Sequence, residues 1–254
     1  MFIVFFIISL FASTIGAISG IGGGIIIKPV LDATGMLSSE TISFMSCCTV
    51  LTMTVSSFIR GRKSQIKLDY SVSVWLATGA AVGGVIGKYI CSFFDGNISL
   101  VQSAILLVVN LVVLFYIKNK TKLETHDVRN PFLVAFIGLS LGLISSFLGI
   151  GGGPMNIAVL YFLFSMSPKV SAKNSLFIIL FSQITSFSTT VITRTIPVFD
   201  PLSLGVMCLG GVIGAILGGY FSKKMTDEVT EKFFSIVLFG LIALNIYNLL
   251  MFAL

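Results

Sequence analysis

Gly20-Ile21-Gly22-Gly23-Gly24 recurs as Gly149-Ile150-Gly151-Gly152-Gly153, each copy deep inside an apolar run that would otherwise continue as a single helix. Glycine loops that cradle nucleotides follow a short strand and carry a Lys-Ser/Thr pair or an acidic ribose partner. Neither copy has that context. The surroundings are hydrocarbon-like on both sides, so the glycines break helices inside a membrane.

The composition fits that reading. Of 254 residues 56% are hydrophobic and 10% charged, and the mean hydropathy is +1.04. No stretch is polar enough for a separate soluble domain, so residues 1–254 read as one all-α polytopic membrane domain. The net charge of +6 does not point to nucleic acid, because the basic residues sit in short loops between apolar runs, the usual mark of cytoplasmic loops. Cys47, Cys48, Cys91 and Cys208 all fall inside apolar segments. They read as small packing residues rather than a disulfide framework or zinc site. Met1 to Leu10 lacks a basic leader region, so the start of the chain is expected to stay as a membrane element.

Working outward from the glycines, about eight membrane helical segments emerge, divided between repeat one at residues 1–122 and repeat two at residues 130–254. Gly20 matches Gly149 at an offset of 129, and Asp69 matches Asp200 at 131; Ser46 matches Ser175, and Ser57-Phe58 matches Ser186-Phe187. Each half also carries a small-residue stripe, Gly79/Gly83/Gly87 and Gly210/Gly214/Gly218, followed by Tyr89 and Tyr220. Four-residue spacing puts such glycines on one helix face, where another backbone approaches closely.

From Pro131 to Pro168 there is no charged residue. As one helix this run would measure about 57 Å, against about 30 Å for a hydrocarbon core. The expectation is therefore a crossing with a re-entrant return, three full crossings per half, and an inverted second half. Inversion places Arg60, Arg62, Lys63, Lys67, Lys118, Lys120, Lys122, Arg129, Lys223, Lys224 and Lys232 on one side, with Arg194 opposite. That distribution suits the positive-inside rule and puts both termini outside the cytoplasm.

Catalytic chemistry has little to work with. His126, the one histidine, lies in a charged loop, and no acidic pair lies inside a span. Asp32, Glu40, Asp69, Asp95 and Asp200 fall at segment ends, where solvation or helix capping is expected. No enzyme activity, cofactor or metal is expected. Anion binding is better provided for, since a glycine run that opens a helix leaves N–H groups unpaired at the positive end of the dipole. Pro154, directly after Gly153, suits a helix start, and paired broken helices are the best pointer to a transporter substrate site. The candidate substrate-binding residues are Gly20, Gly22, Gly23, Gly24, Gly149, Gly151, Gly152 and Gly153, with Ser46, Asn174 and Ser175 completing the hydrogen bonding. The plainer alternative is that the glycines serve helix packing alone. Lys28 and Lys173 are the nearest cations, and both are expected to snorkel to the interface. Ile25 stands where the second copy has Pro154, so the half-sites are not equivalent and the second is expected to hold more of the substrate.

The doubled pattern at residues 20–31 and 149–160, the eight segments and the stripes together resemble the sulfite exporter TauE/SafE family, also called the toluene sulfonate uptake permeases. The resemblance covers essentially the whole chain. It implies an internally duplicated, multi-pass permease of the plasma membrane that moves sulfite, a sulfonate or another small organic or sulfur-containing anion. A passive anion channel is the main alternative, and a membrane enzyme or non-transporting scaffold is the third.

Overall fold

The structure, a computed structural model, describes residues 2–61, 68–92, 98–119, 124–150 and 152–253. Among them are ten helices: α1 (Phe2–Ser19), α2 (Gly24–Asp32), α3 (Ser39–Gly61), α4 (Tyr70–Ser92), α5 (Ile98–Lys118), α6 (Pro131–Phe147), α7 (Pro154–Phe164), α8 (Pro168–Ile192), α9 (Pro201–Lys224) and α10 (Asp227–Ala253). Seven of these are long and apolar enough to cross a membrane, α6 has 17 residues, and α2 and α7 are half-length. Large apolar side chains such as Phe11, Trp75, Val112, Phe136, Leu209 and Ile236 point outward, a surface that only lipid satisfies. The protein is a multi-pass membrane protein.

Proline and its neighbours set several helix starts. Pro131, Pro154, Pro168 and Pro201 each open a helix, where the missing N–H removes one unpaired donor. Asn130 caps α6 through Phe132 N–H, and Asp200 caps α9 through Ser203 N–H, both at 3.0 Å. The hydroxyls that enrich α3 are mostly spent on their own helix: Thr49, Thr54 and Ser56 donate to the carbonyls four residues back.

Two of the eight apolar segments fold as hairpins rather than single rods. Gly23 lies against Ala12 and Ser13, and Gly22 against Gly16, so α2 doubles back along α1. Leu31 and Ile27 share a core with Phe5 and Ala12. In the second half, His126 N–H donates to Phe162 O and Val128 N–H to Leu163 O, which returns the end of α7 to the start of α6. The long uncharged run is thus a re-entrant pair with its glycine tip in the interior.

Packing between the halves is reciprocal. The first helix of each half lies on the fourth of the other, α1 on α9 and α6 on α4; α3 packs on α9 as α8 does on α4, and α2 on α10 as α7 does on α5. Both stripes are used there. A Cβ on Gly79, Gly83 or Gly87 would run into the backbone of Ala135, Leu139 or Leu143, and Gly214 and Gly218 meet the Leu10 and Thr14 carbonyls in the same way. Small residues are needed because the backbones touch; attraction comes from dispersion and Cα–H···O contacts of about 0.5–1 kcal/mol each.

Polar contacts sort the helix ends into two groups. Arg129 pairs with Asp69 at 2.6 Å, Lys173 donates to Gly61 O, and Asp227 accepts from Lys169 N–H. At the other end Thr41 donates to Val198 O, Asn248 to Pro29 O, and Lys88 to Thr190. Arg62, Lys63, Lys67, Asp95, Lys120 and Lys122 lie outside the described residues.

Candidate functional site

Each break is made by backbone that only glycine adopts readily. At the first, Gly20 N–H closes the last turn of α1 on Gly16 O at 2.9 Å, and φ is +77° at both Gly20 and Gly22. Gly23 then returns to ordinary helical angles and α2 begins at Gly24. At the second, Gly149 has φ +68° and Gly152 φ +145° before Pro154 opens α7. A Cβ at such angles is strained by about 1–3 kcal/mol.

The two breaks meet. A Cβ on Gly24 would stand 2.5 Å from Ile150 O and 3.2 Å from Ser46 Oγ, and one on Gly153 would lie 3.2 Å from Ile25 Cδ1. Ile179 of α8 sits between them, against both Gly22 and Gly152. Residues Gly20 to Ile25 and Gly152 to Pro154 are all buried. The N–H groups of Gly22, Gly23, Gly24 and Ile25 find no backbone acceptor among the described residues, nor do those of Gly152, Gly153 and Met155. Two helix N-termini therefore present unpaired donors in a buried place, each with about half a positive charge.

The side chains expected to complete the site behave differently from one another. Ser175 Oγ donates to Gly20 O at 2.7 Å and so braces the first break. Ser46 lies beside Gly24. Asn174 is not brought to the breaks: its Oδ1 accepts from Asp69 N–H and Ser73, and its Nδ2 donates to Val170 O, so it fastens the start of α4. Gly151 lies outside the described residues. Lys28 does not snorkel; it is buried, donating to Ser39 Oγ at 2.7 Å and paired with Asp32 at 3.3 Å. Its stem lies against Gly149. Lys173 is tied to Gly61 O.

Sequence reasoning missed two residues. Ser13 is wholly buried, its hydroxyl unpartnered, beside the position a Gly23 Cβ would take. An isolated serine in α1 gives no signal of this. Ile179 matches Val50 at the repeat offset, and both lie near Gly22, but an apolar residue in an apolar helix is silent.

A recess of about 380 Å³ opens at the end of the bundle that holds Ser165 and Asp227, lined also by Tyr161, Pro168, Glu228 and Glu231. A second, smaller space, also bordered by Tyr161, Pro168 and Glu231, is lined by Ser171 and by Ser19, the last residue before the first break.

Buried hairpin tips with paired breaks, inside a multi-pass helical bundle, place the protein among broken-helix membrane transporters. It belongs to the sulfite exporter TauE/SafE family, whose model matches residues 5–246. The chain is 25% identical over 260 aligned residues to the "Probable membrane transporter protein YunE" of Bacillus subtilis (strain 168), covering 93% of this chain and 94% of that one. It is 24% identical to a "Probable membrane transporter protein" of Haemophilus influenzae, covering 90% of each. No solved structure gives a significant match.

Proposed function

We propose that this membrane transporter is a secondary transporter of a small organic or sulfur-containing oxyanion, such as sulfite or a sulfonate, bound between the two glycine breaks in the plasma membrane. The observation that carries the reading is the pair of adjoining breaks whose buried N–H groups have no backbone acceptor among the described residues. A helix N-terminus favours an anion by about 0.3–2 kcal/mol depending on burial, while a neutral ligand gains little. A passive channel fits less well, since Ile25, Ile150 and Ile179 fill the junction between the breaks and interrupt any polar lining. Radiolabelled counterflow in proteoliposomes against sulfite, sulfonates and carboxylates tests this. Saturable exchange of an oxyanion is expected; anion current without exchange would replace the transporter with a channel.

The same reading makes the halves inverted repeats, each a re-entrant hairpin followed by three crossings, with both termini outside the cytoplasm. Its support is the reciprocal packing and the gathering of Gly61, Asp69, Arg129, Lys169 and Asp227 at one end. Cysteines engineered at Asn119 and Thr226 should both be shielded from an impermeant reagent in intact cells. Labelling at Thr226 alone would remove the inversion.

One observation favours an addition. Asp227, Glu228 and Glu231 line the recess, which suits a cation travelling with the substrate better than the anion alone. Uptake in Glu231→Gln should then lose its dependence on a cation gradient while exchange of the anion persists.

A further inference from the structure

One amide in the core has no hydrogen-bond partner among the described residues. Asn110, in the middle of α5, is fully buried, and neither its Nδ2 nor its Oδ1 has a partner among the described residues. Neighbouring amides differ: Gln102 Nε2 donates to Phe147 O at 2.7 Å, Asn245 Nδ2 to Leu241 O at 2.8 Å, and Asn248 Nδ2 to Pro29 O at 3.0 Å. Those three tie helices or capture carbonyls. Asn110 does neither, although an unsatisfied amide in an apolar interior is strongly unfavourable.

Its level in the bundle follows from its neighbours on α5. Gln102, two turns earlier on the same face, touches the last residue of α6. Tyr116 and Ile117, nearly two turns later, border a space shared with Ile157 and Tyr161 of α7 and with Ser19. Asn110 lies between these two levels. Leu106, Val113 and Leu114, which flank it at helical spacing, belong to one core with Ile21, Ile25 and Ile150, residues of both breaks. The partner helix α10 offers that core Phe234, Leu238 and Leu241, with Val237 and Ile242 packed against it, all of them apolar.

We propose that Asn110 is a substrate ligand, its Nδ2 donating to an oxygen of the oxyanion from a third side while the breaks donate backbone N–H groups. This rests on the reading that an anion binds between the breaks. The backbone donors select for charge; a side-chain amide at fixed depth selects for where the oxygens stand, and a water carried in with the anion satisfies Oδ1. The oxygens of the anion then supply the acceptors that these amides lack and complete their hydrogen bonding.

The test uses the purified full chain with sulfite and benzenesulfonate as probes, reading half-saturation in counterflow and thermal unfolding together. Asn110→Leu removes two unpaired buried polar atoms at similar volume, so it should unfold at or above the parental temperature. It should nevertheless raise the half-saturating concentration at least tenfold. Asn110→Asp, which exchanges the donor for negative charge, should abolish saturable uptake. Parental half-saturation in Asn110→Leu, with Gly24→Ala impaired, would overturn the ligand role and leave the breaks as the site. Parental behaviour in both variants would remove the site itself. A clear drop in the unfolding temperature of Asn110→Leu with unchanged half-saturation would make the amide structural and overturn the proposal.

Discussion

The two glycine breaks share a sequence and differ in mechanics. The first ends in Gly23 at φ −72°, leads into α2 of 9 residues, and carries the buried Lys28–Asp32 pair. The second passes through Gly152 and Gly153 at φ +145° and +155°, opens on Pro154, and leads into α7 of 11 residues, with Ile157 and Tyr161 where Lys28 and Asp32 would match. Proline stiffens the second break but removes a donor. Among the described residues the first keeps at Ile25 the N–H that Pro154 lacks, and it carries a nearby charge pair that the second does not have. Identical glycines fix where the chain breaks, and the residues after them decide what each break can hold.

The largest expected effect attacks that asymmetry. Lys28→Met leaves Asp32 buried without its partner and should destabilise by about 3–5 kcal/mol, read by thermal unfolding in detergent. Lys28→Ile with Asp32→Tyr, which installs the residues of the second half, should recover most of the loss. If the double variant is as unstable as the single one, the pair is not the source of the difference.

Backbone strain gives the next contrast. Gly152→Ala combines φ +145° with contact against Ile179 and should lower stability by about 1–3 kcal/mol or more. Gly23→Ala, at ordinary angles with its nearest contact at 3.3 Å, should change stability by less than about 1 kcal/mol. Equal losses at the two would mean the breaks are mechanically alike.

Smaller still is the hydroxyl brace. Ser175→Ala removes the 2.7 Å bond to Gly20 O and should weaken anion affinity or stability by about 0.5–1.5 kcal/mol. A change beyond about tenfold in half-saturation would make Ser175 a direct ligand instead.

The smallest effect compares Asp69 with its counterpart Asp200. Partial burial opposes ionisation of Asp69, but hydrogen bonds from Ser71 and Arg129, with the Arg129 charge, hold its carboxyl below the ordinary value. Bonds from the Ser203 hydroxyl and N–H do the same for Asp200. A depressed carboxyl stabilises above its unfolded pKa, and that contribution disappears as pH falls through the folded one. Arg129→Met should thus lose under about 1 kcal/mol at neutral pH, and the gap to the parent should close on acidification below about pH 4.

Much of this architecture was legible because a membrane span tolerates few charges and leaves few reasons for a run of glycine. The run from Pro131 to Pro168 was too long for one crossing, and it folds as the hairpin α6–α7; the stripes at Gly83 and Gly214 were spaced for backbone contact, and they make it. Side-chain partners were less legible. Asn174 and Ser175 are adjacent in sequence, yet helical rotation sends one to α4 and the other to Gly20. Lys28 read as a snorkelling cation because its partner Ser39 is the first residue of α3. Ser13 and Asn110 carried no signal, since what marks them is the absence of a partner in three dimensions.

The central claim is that backbone N–H groups of the two breaks hold the anion. Glycine-selective ¹⁵N labelling of the protein in lipid bilayers, titrated with sulfite or benzenesulfonate, reads those groups directly. Saturable shifts are expected at Gly22, Gly23, Gly24, Gly152 and Gly153, with the packing glycines Gly79, Gly83 and Gly214 unmoved. Equal response at both sets, or none at the breaks while counterflow proceeds, would contradict the account.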